Sequence, residues 1–550
     1  MDNQVSAQNK IFEWTETVHK TDCPVRIGPP TSIDNVDSVF YALKKFYKST
    51  NGGQWKNNTG WDTTSVPSSI YDFNQWYGLT VRYDNVIKIE FEGNNLSGEI
   101  PPEIGKLKNL KVLRLIGWSQ FGDSDTQVLK GALPSELKNL DKLAVLRIEG
   151  HSITGELPEK IWQWRDLQNL IIRNTRLSGP LFSQINVVGL SNLGCLIVEG
   201  NNFVGEIPSE VGNLTNLEVF WAGYNQLTGA IPPEIGNLKN LTSLIVDNNQ
   251  LTGVIPPKIG NLKNLKNLWA SHNQLTGVIP SEIGNLTNLM TLNFGANQLT
   301  GEIPPEIGNL TNLMTLNFGA NQLTGEIPPE IGNLNNIVNI EFSKNQLTGE
   351  IPSEIGNLIN LQVLWAGANQ LTGEIPPEIG NLINLKWMTL GANQLTGEIP
   401  SEIGKLKKMS SLLVEKNQLT GEIPNTFLRL GNLDVVALFD NNGLCIPNTD
   451  EFRTFVNNIR VIRHDGFCTT VSTEDQSELE DIQFYPNPAS NSGIFINLPY
   501  DAKIEVYDVL GRKVLTTNEA RIDLSGLTSG LYIYIITSEV EKIKGKFVKQ

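Results

Sequence analysis

Leucines in the middle of the chain recur in the order LxxLxLxxNxLTGxIPxEIGNLxN, and that order returns every 24 residues. Residues 283–306 reappear unchanged at 307–330. Asparagine stands at 201, 225, 249, 273, 297, 321, 345, 369, 393, 417 and 441, and glycine keeps the same step from 205 to 421. A fixed period of this length marks a solenoid. Within each unit, leucines at alternate positions predict a short strand with one inward face. The Asn then turns the chain and offers a buried amide to backbone groups of neighbouring coils. The Pro of the IP step cannot donate to a ladder and ends the turn, and EIGNL predicts a loose helical turn on the outer face.

The first coils are less regular. Their glycines stand at 98, 131, 155, 179 and 205, which leaves about nine extra residues around GWSQFGDSDTQV (117–128). A loop leaving the solenoid is expected there. His151 and Thr175 take the place of the ladder Asn, which weakens the ladder locally. His151 reads as a satisfied turn residue rather than a ligand or base.

The unit resembles the plant-type leucine-rich repeat, whose hallmark step appears as LTGEIP at 299–304, 323–328, 347–352, 371–376, 395–400 and 419–424. This resemblance covers 86–447 and implies an α/β-type solenoid, a superhelix closed by N- and C-terminal caps. Ahead of it, FYALKKFYKSTNGGQWKNNTGW (40–61) and QWYGLTV (75–81) resemble the N-terminal cap of bacterial proteins with such repeats. That cap ordinarily has a cysteine where this chain has Val81. Packing by Trp55, Trp61 and Trp76 is therefore expected to cover the first coil, since a solenoid end needs a cover.

After an acidic joint, TTVSTEDQSELED (469–481), the period stops and short alternating stretches follow, which predict a small antiparallel β-sandwich. FYPNP (484–488), IEVYDVLGRKV (504–514), DLSGLTSGLYIYII (523–536) and the terminal KFVKQ resemble the C-terminal sorting domain of the type IX secretion system. That resemblance implies a Gram-negative cargo carried to the outside or the cell surface. Cargo of this kind normally enters the periplasm by a cleavable signal. The start MDNQVSAQNK lacks an apolar export segment, and Ser6-Ala7-Gln8 reads as the remnant of a cleavage region if the true start lies upstream.

The expected division is a flexible segment over 1–35, an N-terminal cap over 36–85 and about 15 coils over 86–447. A C-terminal cap over 448–468, a linker over 469–481 and the sorting domain over 482–550 complete it.

Charge narrows the partners. With 43 Lys+Arg against 58 Asp+Glu the formal net charge is -15, which disfavours nucleic acid. No apolar run approaches the roughly 18 residues of a membrane span. Four cysteines, at 23, 195, 445 and 468, are too few for a disulfide scaffold and lack metal-site spacing. Cys445 and Cys468 bracket a short segment beyond the last coil, where a bridge would close the exposed end; two unrelated buried thiols are the alternative. Cys23 and Cys195 are expected to be unpaired.

Residues alternating with the inward leucines point out of the strand face, on the concave side of the solenoid. Four positions before the ladder Asn, this column carries Trp221, Trp269 and Trp365, with Trp387 on the coil after Trp365 and one strand position aside. Large aromatics there are expected to be exposed binding anchors. The plainer alternative stacks them on the alkyl stems of Lys266 and Lys386. Asn293 and Asn317, beside Thr291, Thr315, Gly295 and Gly319, make a flat neutral floor, and Glu341 shares their column. Glu92, Glu149, Arg173, Glu199 and Asp247 lie two residues before the ladder position. They read as a solvated rim, or more sharply as a site for a basic partner or calcium.

The histidines, at 19, 151, 272 and 464, lie in different segments without a nucleophile arrangement, and phosphate-binding glycine loops are absent. No catalysis and no cofactor or metal are expected. The sequence thus points to a secreted or surface-attached recognition protein that binds a protein or glycan on its concave face. The alternative is a structural or ice- and lattice-binding solenoid, suggested by the evenly spaced file from Thr228 to Thr420.

Overall fold

The fold is taken from a computed structural model, which describes residues 23–30, 32–117, 128–182, 190–468, 483–485, 487, 489–496, 502–508, 512–537 and 542–550. The loop expected around 117–128 lies, apart from its two ends, outside the described residues, as do the joint and the region of Ser6-Ala7-Gln8. The chain divides into two compact units, Met1–Thr276 and Gly277–Gln550.

The first unit opens with helix α1, Val36–Ser49, whose N-cap Asn35 accepts from the Ser38 amide and whose inner side buries Phe40, Leu43 and Phe46. Trp55, Trp61 and Trp76 are all buried, with indole N–H groups of Trp55 and Trp61 donated to the carbonyls of Thr50 and Tyr77 at 2.9 Å. The rings of Trp55, Trp61 and Phe46 close over Phe91 of the first coil, and Trp76 packs on Trp61. Val81 is buried where a cap cysteine is usual, so ring packing does the covering. Parallel strands follow, one per coil. Ile171 pairs with Ile197, Ile197 with Trp221, Trp221 with Ile245 and Ile245 with Trp269.

Each ladder Asn ties its coil to the one before it. Asn225 Nδ2 donates to the carbonyls of Val198 at 2.8 Å and Ala222 at 3.2 Å, while its Oδ1 accepts from Phe203 N at 3.0 Å. The amide thus satisfies turn groups that water cannot reach. Where His151 interrupts the file, its Nδ1 accepts from Leu129 N at 3.2 Å, and burial pushes the imidazole down to about 4. Its Nε2 is buried without a hydrogen-bond partner, so the turn satisfies only one of the two ring nitrogens.

In the second unit the same register runs Asn293, Asn317, Glu341, Trp365, Thr389, Leu413, Ala437 and Arg463. Phe294, Phe318 and Phe342 stack inside, with centroids 6.0 and 6.2 Å apart. Successive coils carry a 3₁₀ turn after the IP step, as at Pro305–Asn309, Pro329–Asn333 and Ser353–Asn357. Coils approach so closely there that a Cβ on Gly308 would lie 2.5 Å from the Glu330 carbonyl oxygen. The C-terminal cap adds helix α2, Asp450–Asn458, and a last strand, Val461–Arg463, laid parallel on Val435–Ala437. Cys445 and Cys468 are bridged beside it.

The tail forms two antiparallel sheets. Phe484 of FYPNP meets Phe547 of the final strand at 4.3 Å, and Asn487 Oδ1 accepts from Val548 N at 2.9 Å. The two terminal signature strings are thus one packed feature.

Candidate ligand-binding face

In the first unit the aromatic column is covered, which corrects the expectation for Trp221. Trp221 is 1% exposed, packs with Ile171, Cys195, Ile197, Val219 and Ile245, and donates its indole N–H to Ser243 Oγ at 2.8 Å. Half-buried Trp269 joins the same cluster, as does Cys23. Cys23 and Cys195, expected to be unpaired, form a disulfide across 172 residues.

From Cys23 the chain runs back over the coils. Asn169 Nδ2 donates to the Cys23 carbonyl at 3.2 Å. The Gln168 side chain both accepts from Arg26 N at 2.8 Å and donates to Arg26 O at 2.7 Å. Asn109 Nδ2 donates to Asp34 Oδ1 at 2.9 Å, while Asp34 Oδ2 accepts from Val86 N. Cys23, Arg26, Ser32 and Asp34, placed by the sequence in a flexible segment, are therefore hydrogen-bonded to residues at or just before the starts of the strands.

The charged end of this unit is internally paired. Arg114 meets Glu92 at 3.1 Å, Arg147 pairs with Glu149, and Arg173 Nε lies 2.9 Å from Glu199. Asp247 is buried over Gly223, takes an amide hydrogen from Asn248 at 2.7 Å, and is pushed up to about 6 by burial.

In the second unit, three successive coils use their column residues on themselves. Asn293 Oδ1 accepts from Gly295 N at 3.1 Å, Asn317 Oδ1 from Gly319 N at 2.9 Å, and Glu341 Oε1 from Ser343 N at 2.8 Å. Burial pushes the Glu341 carboxyl up to about 7. These acceptors are committed to the backbone.

Beyond them the face changes character. Trp365 and Trp387 are both half-buried, and the register sets them on adjacent strands, with Trp387 opposite Val363 and Thr389 opposite Trp365. Lys386 Nζ lies over the Trp387 ring, 5.7 Å from its centroid, a cation–π contact between consecutive residues. Beside Trp365 the floor is glycine. A Cβ on Gly367 would meet the Gly391 carbonyl at 2.9 Å, and one on Gly391 would meet the Glu415 carboxyl at 2.7 Å. Glu415 Oε2 has no hydrogen-bond partner, and burial raises its carboxyl against the pull of Lys416 and Arg463.

Gly367, Gly391 and Glu415 were not singled out from the sequence, whereas Thr389 stands in the same column as Trp365. The signal was there: they continue the columns that contain Gly319, Trp365 and Asp247. The exposed threonine file is partly used up as well, since the hydroxyls of Thr396 and Thr420 donate to the carbonyls of Gly373 and Gly397 at 3.3 and 3.4 Å.

Family comparisons agree with this architecture. The description "Leucine-rich repeat region" matches 185–301, "Leucine Rich Repeat" matches 85–107, 312–334, 336–358, 360–382 and 384–406, and "Secretion system C-terminal sorting domain" matches 483–550. A leucine-rich repeat protein of Leptospira interrogans is similar at 34% identity and TM-score 0.53, over 67% of this chain and 88% of that one. The plant peptide hormone receptor RGFR1, solved with RGF2, is similar at 34% identity and TM-score 0.50, over 67% of this chain and 66% of that one. The Arabidopsis receptor kinase HAESA, solved with the peptide hormone IDA and the co-receptor SERK1, is similar at 30% and 0.60, over 66% and 62%. The chain thus spans about two thirds of the length of these plant receptors. No curated protein matches it. It belongs to the leucine-rich repeat family and carries a C-terminal sorting domain for secretion. Among the described residues no helix is long and apolar enough to cross a membrane.

Proposed function

We propose that this is a recognition protein, exported by the type IX system of a Gram-negative bacterium to the outside or the cell surface, which binds a protein or glycan on its strand face without turning it over. The observation that carries this reading is the pair Trp365 and Trp387, half-buried on adjacent strands, where a leucine-rich strand has no packing need for an indole. Rigid aromatics on an ordered sheet bury much area at little entropic loss. Of the residues first nominated, Trp365 and Trp387 remain the proposed anchors. Trp269, Asn293, Asn317 and Glu341 are flanking positions at most, since their polar atoms or rings already have intramolecular partners. The plant receptors solved with peptide hormones support a recognition role for this scaffold. The test is a pull-down from surface extracts with the full chain and with Trp365→Ala. Equal capture by both removes Trp365 and Trp387 as anchors.

A further inference from the structure

We propose that residues 1–22 act as an intramolecular ligand, laid along the strand face of the first unit over Ile171, Ile197, Trp221 and Ile245 and tethered there by the Cys23–Cys195 bond. Register and exposure disagree at these four positions. They pair strand to strand at outward positions of consecutive coils, yet they are 3%, 4%, 1% and 1% exposed. In the same column Arg147 before them and Trp269 after them are half-buried, as are Asn317, Trp365 and Thr389 in the second unit. The strand position alone therefore does not bury a side chain. Neighbours on a sheet face shield each other's flanks and leave the tops open to water, and at 1% exposure no top is open. The cover spans four coils and ends at Trp269.

The path of the chain points to the occupant. Followed toward the N-terminus, Asp34 bonds Val86 N and Asn109 in the first coils, Arg26 bonds the Gln168 side chain, and Cys23 is held by Asn169 and by the bridge to Cys195. Each step reaches a later coil, and the next coils in that direction are those of Trp221 and Ile245. Cys23 already packs against their cluster. The 22 residues before it reach up to ~70 Å when extended, against roughly 15 Å for the three coil steps from Cys195 to the coil of Trp269.

Composition agrees with this placement. Ile11, Phe12, Trp14 and Val18 supply apolar side chains for an apolar strip, and Lys10, Glu13, Glu16 and Lys20 among them suit the solvent side. A tethered segment meets the strip at high effective concentration, so an outside partner competes poorly for it. The strip is then closed to other ligands until the segment is cut or displaced.

The experiment is hydroxyl-radical footprinting read by mass spectrometry on three proteins: the full chain, a chain that starts at Cys23 and keeps both disulfides, and the full chain with Phe12→Ser and Trp14→Ser. In the chain starting at Cys23, oxidation of Trp221 should rise about tenfold, toward the rate of half-buried Trp365, while Trp365 itself and the buried cap residue Trp55 keep their rates. A synthetic peptide of residues 1–22 added to that chain should restore the protection of Trp221, and the double variant should lose it. If the short chain unfolds, seen as oxidation of Trp55, the double variant decides. Trp221 as well protected without residues 1–22, or in the double variant, overturns the proposal. Protection that fades on dilution, in a chain that sediments as a dimer, assigns the cover to a second copy and overturns it as well.

Discussion

Cys23 is joined to Cys195 across 172 residues, and this bond sets Cys23 against the buried cluster that contains Trp221. Closing so long a loop contributes about 5 kcal/mol by loop-closure entropy. Cys195→Ser, or mild reduction, is therefore expected to lower the melting temperature, make Trp221 accessible to an aqueous quencher and open residues 23–34 to protease. A quenching curve identical to the parent's means the segment stays in place without the bond.

The asparagine file is expected to carry stability coil by coil. Asn321 donates to the carbonyls of Phe294 and Phe318 at 3.0 Å each and accepts from Leu299 N at 3.0 Å. Asn321→Ala leaves these buried groups unpaired and should cost about 3 kcal/mol, read in urea unfolding of the full chain. A loss under about 0.5 kcal/mol means water or relaxed backbone satisfies them.

Most of this fold was legible in the sequence because its information is periodic. One coil fixes the strand, the turn residue and the close Gly–Pro step, and the next coil repeats them. What failed was non-periodic. Alternation says that Trp221 leaves the leucine core, but nothing in its own coil says that Cys23, about 200 residues earlier, packs against its cluster. The missed clue was chemical: Cys195 stands at an outward strand position, pairing with Val219 in register, and an exported chain with four cysteines has two pairs to make. Asn293, Asn317 and Glu341 looked free for the opposite reason. Their polarity was visible, but the i to i+2 bond to their own backbone depends on rotamer, which spacing does not report.

Left-handed backbone gives a third expectation. Ala320 sits at φ 54, just before ladder residue Asn321, where a Cβ strains against the following carbonyl. Ala320→Gly should raise stability by about 0.5–1 kcal/mol despite the added freedom of the unfolded chain. A lower melting temperature for this variant would count against strain at the position.

Two strand-face carboxyls predict a pH dependence. Burial raises Glu341 to about 7 and Asp247 to about 6 in the folded chain, against ordinary values of 4.5 and 3.8. The native state therefore binds protons more tightly than the unfolded one. Stability from these groups is fully present below about pH 4 and is lost as pH rises through roughly 4 to 7. Glu341→Gln with Asp247→Asn should flatten that part of the profile. An unchanged slope in the double variant would show that other groups set it.

The last expectation concerns the tail. Residues 483–550 have their own core, in which Phe484, Phe495, Tyr534 and Phe547 close against Ile504 and Val506, and the Asn487 side chain pins the final strand. The leucine-rich coils do not borrow that core: the last coil is covered by α2, the strand Val461–Arg463 and the Cys445–Cys468 bond. A chain ending at Thr470 should therefore keep the melting temperature of its coils and its ligand affinity while losing delivery to the surface and collecting in the periplasm. Fractionation and surface labelling of cells expressing both forms would show it. Normal surface delivery of the shortened chain would mean that the address lies elsewhere, and a drop in coil stability would mean that the tail is part of the cap.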